Sequence, residues 1–203
     1  SDYISNNDKD NYKENLNIIK NQIKQIGNLV NEFSDFARMP KPTLKDNDLV
    51  NLLKENIRLL QKLDNKINIE LHSNVNEIVF NSDKEQLSRV FFNLIKNSIE
   101  SIQQKAENRH NFDKKILVEI SKQNNHITIS ILDNGIGFNI SKNNIKDILN
   151  PYFTTKKNGT GLGLSIVNKI INDHNGNIEF MPIDDGAKIN INFNDNRNFN
   201  SWW

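Results

Sequence analysis

The sequence predicts an α+β fold: a two-layer sandwich of a mixed β-sheet with helices on one face, preceded by a long coiled-coil-like helix. Three observations predict it. Apolar residues recur at alternating spacings of four and three from Tyr12 to Ala37, and Pro40 and Pro42 end that run. Past the prolines the apolar period switches repeatedly between about 3.6 and 2, so helices and strands are both present. The strands come in runs with helices interspersed, which is the order of an α+β sandwich.

The first helix sets Tyr12, Leu16, Ile19, Ile23, Ile26, Val30, Phe33 and Ala37 on an a/d seam, and Leu29 and Phe36 widen it. One helix cannot bury such a stripe, so a partner helix is expected, and with it a homodimer through this segment. Residues 1–40 form this unit, 41–45 a linker, 46–197 the mixed domain and 198–203 a tail. "NDLVNLLKENIRLLQ" reads as a helix with Leu49, Leu52, Leu53, Ile57 and Leu60 on one face. "KINIELHS" alternates as a half-buried strand, and "NEIVF" as a short one. A helix follows, capped by Ser82 or Asp83, with Gln86 placed to complete a capping box. "KKILVEIS" and "HITISILD" are expected to pair across "KQNN". Asn139 to Gly159 is long for a loop, which points to function or mobility. Leu162 to His174 reads as a helix stopped by Gly176, and "NIEFM" and "AKININF" close the domain as strands.

Composition narrows the classes. A chain of 203 residues can hold one ordinary domain with an appendage, or two small domains. A net charge of +1 gives no field that would favour nucleic acid or a membrane surface, so no nucleic-acid partner is expected. The absence of cysteine excludes disulfides, thiolate metal sites and cysteine nucleophiles. No apolar run approaches the roughly 20 residues of a membrane span, and no signal peptide is visible. A cytoplasmic location is therefore expected, with an anchor upstream of Ser1 in a parent protein left open.

Four short stretches stand out in order: "NLIKN" (Asn93 to Asn97), "DNGIG" (Asp133 to Gly137), "PYFTTK" (Pro151 to Lys156) and "GTGLGLS" (Gly159 to Ser165). Each alone has an ordinary explanation: a solvated helix face, a turn, a plug, a flexible loop. The glycine run also fails two familiar phosphate motifs, since it does not follow a strand and Leu164 stands where a phosphate-loop lysine belongs.

Together, in this order and at these separations, the four stretches resemble the ATP-binding domain of bacterial sensor histidine kinases, within the group that includes DNA gyrase and MutL. "EFSDFARMPKP" and "PYFTTKKNGTGLGLSIV" are similar in particular to nitrogen-regulation sensor kinases of the NtrY type. The first helix then resembles the second helix of their dimerisation hairpin. The resemblance implies a histidine-kinase-type fold that binds ATP or ADP with Mg²⁺. Asn93, Lys96 and Asn97 would form its catalytic face, with Asn97 as the metal ligand. Asp133, Gly135 and Gly137 would hold adenine. Phe153, Thr154, Thr155 and Lys156 would bind the nucleotide from a lid, and Gly159, Thr160, Gly161, Leu162 and Gly163 would cradle the phosphates.

The residue chemistry suits those roles. Adenine offers an amine donor to a carboxylate at Asp133, where guanine presents an acceptor oxygen. An amide oxygen is a hard neutral ligand for Mg²⁺ when phosphates and water fill the other positions. Lys96, Lys156 and Lys157 can neutralise phosphate charge, and phosphoryl transfer asks mainly for such positioning and compensation. The N–H groups of the glycine run and of the following helix N-terminus favour anions.

One departure matters. The family phosphorylates a histidine followed by an acid and, a few residues on, a proline. None of the four histidines here, His72, His110, His126 and His174, has that setting. Each is expected to be structural or solvated, and the chain alone is expected not to phosphorylate itself. A smaller departure is Glu100, where many of these kinases carry a base near the phosphates. The resemblance implies transfer of the γ-phosphate to a histidine outside this chain and then to a response regulator. The alternatives are a nucleotide-gated binding module and an anti-sigma-type serine kinase. The tail, with Trp202 and Trp203, has no assigned role.

Overall fold

The computed structural model describes residues 6–62, 64–109, 111–138, 147–154, 156 and 159–195. Its elements run α1 (Asn6–Ala37), β1 (Lys45–Asp48), α2 (Leu49–Gln61), β2 (Asn68–Ser73), β3 (Val79–Ser82) and α3 (Lys84–Asn108). They continue with β4 (Lys115–Gln123), β5 (His126–Asp133), α4 (Gly163–Asp173), β6 (Gly176–Pro182) and β7 (Ala187–Asn194). Five strands form one sheet in the order β2-β4-β5-β7-β6, with β2 parallel to β4 and every other pair antiparallel. β1 and β3 form a separate antiparallel ribbon. The α+β class, the mixed sheet and the long N-terminal helix are as the sequence predicts.

Alternation explains which face is covered. Ile69, Ile116, Val118, Ile120, Ile127, Ile129, Ile131, Ile189, Ile191 and Phe193 all point to one side of the sheet and are buried. α3 lays Leu87, Val90, Phe91, Leu94, Ile95, Ile99 and Ile102 onto that side, and α2 and α4 flank it. Each such side chain withdrawn from water is worth roughly 1.5–3 kcal/mol, so this one layer of contacts holds the domain together. β4 and β5 join through Asn124 and Asn125, and Asn124 takes a φ of 53°. That left-handed turn suits an asparagine and keeps the hairpin twist.

Several local readings are corrected. β1 is a strand although "KDND" has no apolar alternation, because its hydrogen bonds come from β3, over thirty residues away. Asp48 caps α2, accepting from the N–H groups of Val50 (3.0 Å) and Asn51 (3.2 Å). Asp83 rather than Ser82 caps α3, and Ser82 ends β3. Gln86 does not close a capping box. Its amide donates to Pro40 O at 3.1 Å, and the Asp83 N–H donates instead to His174 Nε2 at 3.0 Å. His174, buried, donates from Nδ1 to Ile170 O at 2.7 Å, so it ties the end of α4 to the start of α3. Asn175, at a φ of 56°, ends α4. Gly176 instead opens β6 where the Phe193 ring leaves no room for a methyl group.

α1 keeps its seam open: Tyr12, Ile23, Ile26 and Val30 are each more than half exposed. Phe36 and Met39, at and just past its end, pack against the core of the domain.

Asp83 carries a test of the helix–strand junction. Its carboxylate accepts from the N–H groups of Thr43 (2.8 Å), Glu85 (3.0 Å) and Gln86 (3.0 Å). Partial burial pushes its carboxyl up, but these three donors outweigh that and hold it below its ordinary value. Asp83→Ala is expected to cost about 1–2 kcal/mol in urea melts at neutral pH. A depressed carboxyl stabilises above its unfolded pKa, and that gain is lost as pH falls through the folded value. The gap between wild type and variant should therefore shrink in acid; an unchanged gap would contradict the assignment.

Candidate functional site

The site is built by α3, the loop after β5 and the glycine run before α4. The phase of Ile127, Ile129 and Ile131 along β5 brings Asp133 to the covered face, so a carboxylate occupies a position of the apolar pattern. Asp133 is 4% exposed. Its Oδ2 accepts from Ser98 Oγ at 2.9 Å and its Oδ1 from the Gly135 N–H at 2.9 Å. Burial raises the carboxyl above its ordinary value, while those donors and the Lys105 ammonium pull it back. A carboxylate offers about four acceptor positions, so room remains for a ligand donor.

The same helix holds the rest of that loop. Ser101 Oγ accepts from the Ile136 N–H at 3.1 Å. Lys105 Nζ donates to Asn134 O at 2.7 Å and pairs with Asp185. A methyl group at Gly135 would strike Ser101, and one at Gly137, whose φ is 73°, would strike Gly186 O. Gly186, at a φ of 113°, lies directly on Asp133 O. The close approaches that these glycines permit are thus made by the protein itself. Sequence reasoning missed Ser98, Ser101, Lys105 and Gly186. The spacing of the first three along α3 was a usable signal, and "DDG" marked the turn that brings Gly186 in.

At the other end of the candidate site, where the sequence reading expects phosphates, Asn93 and Asn97 lie one turn apart on α3, both half-buried. Asn97 Oδ1 accepts from Lys156 Nζ at 2.8 Å. Lys156 also pairs with Glu100, which faces Lys96 at 3.7 Å. Lys96, Asn97 and Lys156 are therefore brought together, around an acid. The Asn97 oxygen already holds one cation, an ammonium, so it fits the donor role expected toward Mg²⁺. Among the described residues no group of three or more His, Cys, Asp or Glu could hold a metal. A metal at Asn97 would then draw its remaining ligands from phosphate and water.

The glycine run is less uniform than its spacing suggests. Gly161, at a φ of 71°, is pressed by the backbone of Tyr152, whose N–H donates to Gly161 O at 3.0 Å. Gly159 sits against Thr154 Oγ1, which accepts from the Lys156 N–H at 3.1 Å. Gly163, the first residue of α4, faces open space. Leu162, fully buried, precedes it and gives no side-chain cap, so no N-cap side chain competes with an anion for the first N–H groups of α4. The Thr160 hydroxyl donates to Glu32 of α1. Phe153 is half-buried. Thr155, Lys157, His110 and the Trp202–Trp203 tail lie outside the described residues, as does much of the stretch from Asn139 to Gly159. The His72 side chain is 61% exposed, and His126 is exposed.

Residues 82–197 match the family model described as histidine kinase-, DNA gyrase B- and HSP90-like ATPase. The chain belongs to that ATPase family. It is 32% identical over 187 residues to an NtrY-like sensor histidine kinase of Rickettsia felis, covering 92% of this chain and 30% of that protein. With the nitrogen regulation protein NtrY of Azorhizobium caulinodans it shares 31% over 189 residues, 88% of this chain and 23% of the relative. The chain thus spans about a third or less of the length of these curated relatives. Among solved structures it resembles the nucleotide-free catalytic domain of the histidine kinase ThkA, at a TM-score of 0.65 and 24% identity, over 75% of this chain and 95% of that one. It also resembles ThkA in complex with the response regulator TrrA, at a TM-score of 0.71 and 23% identity, over 96% of this chain and 53% of that one. These structural likenesses speak for the fold. Among the described residues no helix is long and apolar enough to cross a membrane.

Proposed function

We propose that this chain is the catalytic, ATP-binding part of a two-component sensor histidine kinase of the NtrY type. It binds Mg-ATP and presents the γ-phosphate to a histidine other than its own four, from which the phosphate passes to a response regulator. The observation that carries this reading is Asp133: a buried carboxylate, fixed by the Ser98 hydroxyl and the Gly135 N–H, with acceptor positions left over for an adenine amine. Asn93 and Asn97 face the phosphates from α3, and the free N–H groups at the start of α4 bind their oxygens. When bound, Mg²⁺ neutralises phosphate charge. α1 pairs with the same helix of a second copy, which covers its open seam. The complex of ThkA with a response regulator supports a partner of that class.

The test is phosphotransfer with labelled ATP. The chain alone should yield no acid-labile, base-stable phosphate. A separate helical hairpin bearing a histidine followed by an acid should become labelled in its presence. Label on the chain itself would mean that one of its four histidines is an acceptor. Binding of ATP without transfer to any hairpin would favour a nucleotide-gated binding module.

A further inference from the structure

Glu100 is the wrong charge for its place. It lies one helical turn beyond Asn97, on the side of α3 that the proposed function gives to a polyanion, and an isolated acid there repels phosphate. The structure shows what offsets it. Lys96 approaches one oxygen of Glu100 at 3.7 Å, and Lys156, arriving from the glycine-rich loop, pairs with the other. The Lys156 ammonium also donates to Asn97 Oδ1 at 2.8 Å, so it is held between two side chains of α3. These contacts are side chain to side chain, across 56 residues of sequence to Glu100 and 59 to Asn97.

We propose that Glu100 is a positioning residue: it draws Lys156 down from the loop and keeps the ammonium beside Asn97, so that the loop carries a cation to the phosphates. This rests on the nucleotide reading above. When the Asn97 oxygen is given to a metal, Lys156 loses one partner and keeps the other. The tether then leaves the ammonium within reach of phosphate oxygens instead of free in solvent. Glu100 and Lys156 act as a coupled pair: the ammonium serves the phosphates, and the acid serves by holding it in place.

The proposal makes the sign of a substitution decisive. If Glu100 were only a neighbouring acid, Glu100→Gln would remove repulsion and tighten ATP binding. As a tether, the same change should weaken Mg-ATP binding about threefold, the scale of a half-exposed ion pair. Lys156→Met should weaken it about tenfold, with a smaller loss for ADP. In the Glu100→Gln background, Lys156→Met should cost clearly less than in wild type, because the pair is already broken. Glu100→Lys combined with Lys156→Met returns a cation to this face of α3 and should recover most of the lost ATP affinity. A readout independent of nucleotide is tryptic cleavage after Lys156, which Glu100→Gln should accelerate in the free protein. Calorimetry on the full chain gives the affinities. Tighter or unchanged ATP binding in Glu100→Gln, additive losses in the double variant, or no recovery with Glu100→Lys would each overturn the proposal. Wild-type chain that binds neither ATP nor ADP would overturn the nucleotide reading itself, and the tether with it.

Discussion

Replacing Asp133 by asparagine is expected to lower ADP affinity about 10- to 100-fold. The change keeps the size of the side chain but turns one acceptor into a donor, a loss on the order of 1–3 kcal/mol at a buried site. It also sets the new amide against the Ser98 hydroxyl or the Gly135 N–H, both of which donate to this group. Acidity gives a second measure. Burial raises the Asp133 carboxyl above its ordinary value, and the ligand amine needs the ionised form. Wild-type affinity should thus be flat at neutral pH and fall on acidification before an ordinary carboxylate titrates. The effect on the free protein has the opposite sign. A carboxyl raised on folding is unfavourable to the fold above its folded pKa, and that penalty is relieved as pH drops towards the unfolded value. Calorimetry across pH therefore separates binding from stability. An asparagine variant with wild-type affinity, or affinity that ignores pH in this window, would remove adenine from Asp133.

The open seam of α1 should drive dimerisation that depends on concentration in light scattering. Ile23 and Val30 lie on it, 65% and 54% exposed. In a symmetric pair each would be covered twice, once per copy, at roughly 1.5–3 kcal/mol for each aliphatic side chain. Ile23→Asp with Val30→Asp should accordingly weaken association on the order of a thousandfold or more and leave a monomer with an intact domain. A wild-type chain that stays monomeric at high concentration, or a double variant that still dimerises, would contradict the pairing proposed for this helix.

What was legible in the sequence was whatever repeats locally. The period of two in "KINIELHS" and "HITISILD" and the seam of α1 are set by neighbours a few residues apart, and each formed as read. What was not legible depends on partners far along the chain. β1 has no pattern of its own and exists through β3. Ser98 looks like any polar residue on a helix until Asp133, 35 positions later, is placed against it. Gly161 shows the same limit from the other side. Its glycine was read as room for phosphate, yet the neighbour that excludes a side chain there is the backbone of Tyr152. Gly163 keeps the space that a ligand can use, and alternation alone could not separate the two.

Helix α3 has a consequence for what the site can measure. Asn93 and Asn97 stand on it toward the phosphate end, and Ser98, Ser101 and Lys105 fasten the adenine loop to the same element. From Asn93 to Lys105 the axis runs about 18 Å at 1.5 Å per residue. The loops around it can adjust, but a helix packed along its whole buried face does not lengthen. On the nucleotide reading proposed above, α3 would work as a ruler, with base and phosphates gauged against marks on one rigid rod. On that reading a molecule with the right base but a shorter tail would register at one mark only, so length would be selected together with the pattern of donors on the ring.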